Sequence, residues 1–182
     1  EFHSEAFAKK GGAFEMVQLW VNLQARDKIA KPGYQTILKA DIPTVGLPND
    51  AGSLRVIAGA YAGKAGPART FTDLNVWDAR VKSGKSVVLD VPEGHTLSVL
   101  VLAGVIQIDG KEIVREAQMA VLGREGGAIR IEANSDAKIL VLAGEPIDEP
   151  VASHGPFVMN SEAEIRQAFD DALEIRPQIG LE

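Results

Sequence analysis

The side chains able to do metal or acid–base chemistry are few. The 182-residue chain has no cysteine and only three histidines, which removes disulfides, thiolate metal sites and cysteine nucleophiles and leaves imidazole and carboxylate as the only strong ligands. His3 and Glu5 form the one close pair. At i and i+2 in an extended strand they would point to the same face and could chelate one metal ion, although an isolated triplet of this kind is more often terminal, solvent-facing sequence. A redox-competent iron site usually wants at least three such ligands and an open position, and no second pair at this spacing follows. His95, in Pro92-Glu93-Gly94-His95-Thr96, and His154, in Ser153-His154-Gly155-Pro156, both read as turn histidines bonded locally or to water. Glu145, Asp148 and Glu149 cluster around Pro146 and Pro150. They could bind a cation or pair with arginine, but a proline-braced loop with solvated carboxylates is the commoner arrangement. Trp20 and Trp77 fall in strand patterns and read as core or interface aromatics. Gly11-Gly12 and Gly123 to Gly127 neither precede a helix nor end in Gly-Lys-Ser/Thr, so they read as turns and not as phosphate cradles. No Gly-x-Ser-x-Gly elbow supports a serine hydrolase.

Composition narrows the classes further. With 46% hydrophobic and 24% charged residues the chain can bury a real core. Nineteen basic against 25 acidic side chains give a net charge of -6, and no basic block stands out. Direct nucleic-acid binding, which draws much of its affinity from phosphate neutralisation, is disfavoured. The apolar stretch from Leu97 to Ile108 is too short for a membrane span, and the first residues lack a basic region followed by an apolar one. The expectation is therefore a cytoplasmic protein without a membrane anchor.

The elements that would position these residues are mostly strands. Runs of β-formers separated by Gly, Pro, Asn and Asp predict strands over 15–23, 54–61, 74–81, 86–91, 96–102, 105–108, 112–115, 119–122, 128–132 and 138–142. Asp109-Gly110 supplies the positive φ values of a two-residue hairpin turn. Ala128-Ile129-Arg130-Ile131-Glu132 alternates, predicting one buried and one wet face. Leu-Val-Leu-Ala-Gly, at 100–104 and again at 140–144, suggests two strands facing one core. The one helix predicted is 161–174. Ser161 to Glu164 forms a capping box, and Ile165, Ala168, Phe169, Ala172 and Leu173 make one apolar stripe that should dock on the β-structure. The polar, Pro-containing stretch from Ala25 to Pro48 marks a boundary near 45–50, and the strand over 15–23 must pair with something. An exposed edge there would invite dimerisation.

The segment Gly144-Glu145-Pro146-Ile147-Asp148-Glu149-Pro150-Val151, then His154-Gly155-Pro156-Phe157-Val158-Met159-Asn160 and an acidic helix, closely resembles the closing signature of the pirin family. At the other end, His3-Ser4-Glu5, Val17-Gln18-Leu19-Trp20-Val21-Asn22-Leu23, Lys28 and Tyr34-Gln35 resemble that family's passage from its last metal ligands through its Q-L-W-V-N-L strand. The resemblance runs from His3 to about Leu173. It implies a mainly β, bicupin architecture in which one barrel holds iron with three histidines and one glutamate and the other is metal-free. On that basis residues 1–45 would be a remnant of the metal-binding barrel, 46–150 the metal-free C-terminal cupin barrel, and 151–182 a C-terminal segment with the helix. Gly94 to Gly110 resembles a degenerate cupin motif with Leu, Val and Thr where a metal cupin places ligands.

The resemblance also implies that His3 and Glu5 are the last two ligands of an Fe(II) site, with the preceding His-x-His pair lying before this chain begins. Glu1-Phe2 and Leu181-Glu182 have the form that cloning sites encode, which fits the C-terminal portion of a longer protein. The implied activity is a quercetin 2,3-dioxygenase, acting on a flavonol-type small molecule, with Glu5 both ligating the metal and accepting the proton of a substrate hydroxyl. The alternative is an iron-dependent regulator that acts through a protein partner, a transcription factor or a metabolic enzyme. With two of four ligands the chain alone should neither hold iron stably nor be active. For this half by itself, the resemblance favours a structural partner barrel.

Overall fold

The computed structural model describes residues 5–175. Fourteen strands and two helices follow in chain order: α1(Glu5–Lys10), β1(Thr44–Leu47), β2(Gly52–Ala58), β3(Ala60–Tyr61), β4(Lys64–Ala65), β5(Leu74–Val81), β6(Ser86–Asp90), β7(Thr96–Ala103), β8(Val105–Ile108), β9(Glu112–Arg115), β10(Met119–Leu122), β11(Ala128–Ala133), β12(Ala137–Gly144), β13(Ala152–His154), β14(Phe157–Met159) and α2(Glu162–Ile175). Six strands form one sheet in the order β1-β2-β5-β12-β7-β10, and four form a second in the order β6-β11-β8-β9. The pairings in both are antiparallel. This is the mainly β, cupin-type barrel that the strand spacing and the resemblance predicted.

The period of two in each strand decides where the core lies. Ile139, Val141 and Ala143 of β12, Val99 and Val101 of β7, and Trp77 and Ala79 of β5 turn inward to meet Ile129 and Ile131 of β11 and Ile106 and Ile108 of β8. The repeated Leu-Val-Leu-Ala-Gly lies in neighbouring strands of one sheet, with Leu140 opposite Leu100. The alternation read in β11 holds: Ile129 and Ile131 are buried, Arg130 and Glu132 exposed. The turn at Asp109-Gly110 has φ of 50° and 68° and is closed by the Lys111 amide on the Ile108 carbonyl at 3.0 Å. Because the ladder resumes with Glu112 opposite Ile108, the connection is one residue longer than the two-residue turn expected.

Four expectations need correction. Residues 15–23 form no strand. They run as an arm against the side chains of the large sheet's outer face, where no backbone edge offers hydrogen bonds, so no ladder forms. The β-edge on which dimerisation through this segment depended is therefore not present among the described residues. The strand expected over 54–61 instead shifts register between Val56 and Ala58 and breaks at Gly59. Finally, β1 and the β13–β14 hairpin arise where Pro and Gly suggested only loop. Helix α2 docks on that hairpin: Ile165 is buried, and the Phe169 ring stands edge-on to Phe157 and His154, with centroids 4.9 and 5.4 Å away. Ser161 accepts from the Glu164 amide at 3.3 Å, while Glu164 reaches back one residue further than expected, to the Asn160 amide at 2.9 Å.

Gly59 sits at φ 74°, and a Cβ there would lie 1.9 Å from Asn75 Oδ1, the atom that accepts from the Ala60 amide at 3.1 Å. Gly59→Ala should therefore lower stability by about 2–4 kcal/mol, from positive-φ strain plus loss of a buried bond, read as a shift in the urea midpoint. Tyr61 packs edge-on against Trp77, ring centroids 5.3 Å apart. Burial, helped by the Asp90 carboxylate, raises its phenol above the ordinary 10.0. The folded state thus holds this proton longer than the unfolded state. Its contribution is complete below pH 10.0 and is lost as the pH climbs through the folded value. Urea midpoints measured across that range should fall more steeply for wild type than for Tyr61→Phe.

Candidate functional site

The interior of the barrel is hydrocarbon. Leu54, Val56, Val99, Val101, Ile106, Ile131, Ile139 and Val141 are fully or almost fully buried, and among the described residues no group of three or more His, Asp or Glu side chains is arranged to hold a metal. Trp77 of this core has its buried Nε1 donor without a partner, and an N–H cannot ligate a cation. A bare divalent ion placed there would lose its hydration and gain no oxygen or nitrogen donor, so the residues lining the barrel do not fit an iron centre.

Polar chemistry is gathered outside, on the outer face of the large sheet and at its rim. Asp78, 8% exposed, lies directly opposite Arg55. Its Oδ2 accepts from Arg55 Nε and Nη2 at 3.0 and 2.6 Å, and its Oδ1 from Arg80. One carboxylate between two guanidinium groups is a satisfied network, so this cluster fixes the sheet surface without presenting a free base. Beside it the arm crosses the sheet. Glu15 pairs with Lys138 at 3.0 Å, and Leu19, Trp20, Val21 and Asn22 wall a groove of about 460 Å³ whose floor includes Leu74, Val76 and Leu142. Trp20 remains 69% exposed and is not a core aromatic, whereas Trp77 is.

What holds the arm is a clasp between the two ends of the described chain. The Ala25 amide donates to Glu149 Oε2 at 2.7 Å, and Asn160 Nδ2 donates to the same oxygen at 3.0 Å. Lys28 Nζ donates to Asn22 Oδ1 at 2.7 Å and to the Val158 carbonyl at 3.1 Å. Glu149 is therefore more than the solvated loop carboxylate that its proline-flanked setting suggested. The residues of the sequence signatures, Asn22 and Lys28 from the opening, Glu149, Val158 and Asn160 from the closing, meet here. Local spacing could not show this, since the partners are 124 and 130 residues apart.

Of the predicted ligands, Glu5 alone falls among the described residues. His3 lies outside them. Glu5 opens α1, not an extended strand; its side chain is 95% exposed and its recorded ion pair is with Lys9 at 3.9 Å. His95 bonds through its backbone amide to the Pro92 carbonyl at 3.2 Å, while its buried Nδ1 has no partner. His154 is an aromatic contact for α2. Gly11 closes α1 by donating to the Phe7 carbonyl, and 123–127 connects β10 to β11, so both glycine-rich stretches are turns.

Residues 76–176 match the profile of the Pirin C-terminal cupin domain. A Pseudomonas aeruginosa protein named as a quercetin 2,3-dioxygenase is 56% identical over 171 residues, covering 94% of this chain and 59% of its own length. Human pirin is 35% identical over 161 residues, covering 85% of this chain and 54% of that protein. The crystal structure of quercetin 2,3-dioxygenase from Acinetobacter baumannii superposes with a TM-score of 0.92 at 46% identity, covering 96% of this chain and 61% of that one. The chain thus spans about three-fifths of the length of the curated relatives it matches. An apolar cupin barrel whose two sequence signatures lock together in one clasp belongs to the pirin family.

Proposed function

We propose that this chain supplies the metal-free cupin barrel of a pirin-like protein whose whole form is an iron-dependent quercetin 2,3-dioxygenase. In this reading the barrel, 46–150, is a scaffold. Residues 1–45 belong structurally to a metal-binding barrel, and 151–182 lock the arm in place. The observation that carries the reading is the hydrocarbon interior: a cupin core that is filled with Leu, Val and Ile has no room for a metal ion and is rigid enough to present a fixed outer surface. The names borne by the longer relatives support the activity class of the whole protein, and a flavonol-type substrate goes with that name.

His3 and Glu5 are assigned as two ligands of the Fe(II) site of the whole protein, Glu5 also accepting a substrate proton. Neither role is exercised within the barrel, and no catalytic step is assigned to a barrel residue. A second reading, a regulator that engages a protein partner, draws on the apolar surface of the arm, where Phe14, Met16, Trp20 and Val21 are all more than half exposed. Trp20→Ala distinguishes the two: it would abolish partner binding in the second reading and leave metal content unaltered in both.

Anaerobic loading with Fe(II), desalting and metal analysis tests the assignment. The chain should retain well under one equivalent of iron per chain, His3→Ala and Glu5→Ala should differ little from it, and none should consume quercetin. Stoichiometric iron that survives both substitutions would place a metal site in the barrel and overturn the proposal. Stoichiometric iron lost on either substitution would show that the arm alone completes a centre.

A further inference from the structure

A second hollow, of about 290 Å³, opens where the arm meets the closing hairpin. Trp20, Val21 and Leu23 of the arm wall one side and Pro156, Val158 and Met159 of the hairpin the other. The lining is apolar except at Asn22 and Lys28. Lys28 is half-buried, and its Nζ donates to Asn22 Oδ1 at 2.7 Å and to the Val158 carbonyl at 3.1 Å. Both acceptors are neutral. An ammonium carries three donors, and the third has no partner among the described residues. Lys28 enters no ion pair there either. The Glu149 carboxylate of the clasp is taken by the Ala25 amide and Asn160 Nδ2, and no acidic residue lines the hollow. In a chain of net charge -6, a full positive charge thus stands between apolar walls, with two neutral dipoles and no counter-charge to offset the water it has lost.

We propose that this hollow binds a small aromatic acid, its carboxylate on Lys28 and its ring against Trp20. The uncompensated ammonium selects an anion, and a carboxylate accepts the remaining N–H in a charge-assisted bond. The apolar walls select the rest of the molecule. Trp20 is 69% exposed, so most of its ring is open to stacking, worth about 0.5–1.5 kcal/mol beyond the area it buries. An inorganic anion would use the charge and leave the walls wet, whereas a neutral arene would cover the walls and leave the charge alone. A volume near the lower end of ligand pockets, about 300 Å³, suits an acid of single-ring size. The site needs no metal, so it is independent of the iron chemistry assigned to the whole protein. One wall belongs to the arm and the other to the hairpin, so both walls meet the ligand only when the clasp is closed. Binding therefore favours the clasped state, including the Ala25 amide's bond to Glu149.

Titration with cinnamate, followed by calorimetry, tests the proposal, with cinnamyl alcohol as the ring without the charge and acetate as the charge without the ring. Wild type should bind cinnamate at one site, about tenfold or more tighter than either control. Lys28→Met keeps an apolar stem and removes the charge, and should bring the acid's affinity down to that of the alcohol. Lys28→Arg should keep the preference for the acid. The quantity read is the ratio of acid to alcohol affinity, which a lysine that only braced the arm would not alter. Hydrogen exchange at the Ala25 amide should slow in wild type when cinnamate is added. If Lys28→Met fails to fold by circular dichroism, or binds neither compound, the wild-type ratio and the Ala25 exchange decide. A wild-type ratio near one would overturn the proposal. So would a preference for the acid that survives Lys28→Met, or cinnamate binding that leaves exchange at Ala25 unchanged.

Discussion

Strand β12 has to serve two surfaces at once, and the rest of the structure depends on its doing so. It is paired along both edges, to β5 and to β7, and its alternation sends Ile139 and Val141 into the barrel while Leu140 and Leu142 face the other way. The inner row completes a packed core of hydrocarbon, where even one missing methylene is costly. The outer row, with Val76 and Leu74 of β5, makes an apolar floor that the arm partly covers. An antiparallel sheet usually leaves its second face to solvent. Here that face is apolar enough to need a cover, and Leu140 is buried although it belongs to no part of the core.

This division leaves the described barrel interior to hydrocarbon. In a metal cupin the inner face of the barrel must leave polar ligands and space at one place. Here that place is filled by side chains that favour close packing, and the polar groups that remain are spent on structure. Asp78 is shared by two arginines, Glu149 by the Ala25 amide and Asn160, and Lys28 by Asn22 and the Val158 carbonyl. Such groups are positioned and satisfied, so they set geometry.

Most of the barrel was legible in the sequence because its strands are short and sharply punctuated. Leu74–Val81 starts after Asp73 and stops short of Gly84, and Val105–Ile108 lies between Gly104 and Asp109, where glycine and aspartate neighbours say they should. The failures have a common physical cause, which is that β-propensity reports an extended, half-buried environment and not the presence of a hydrogen-bonding neighbour. Val17 to Leu23 has the composition of a strand, but it lies over a sheet face and so has no ladder. Thr44–Leu47 has the reverse character, with Gly46 inside it and proline on either side, yet the free edge of β2 captures it. The clasp was present in the sequence only as unexplained signature residues. A carboxylate and an amide at opposite ends of a chain carry no local periodicity, and only the closed barrel brings them together.

The central claim is that the arm is fixed to the outer face of the barrel by the Glu149 clasp. Residue-resolved amide hydrogen exchange tests it directly. The Ala25 amide should be among the protected amides of the arm in wild type and should lose that protection in Glu149→Gln, while Val99, Val101 and Val141 in the barrel stay protected. An Ala25 amide that exchanges freely in wild type, or one indifferent to the substitution, would contradict the account.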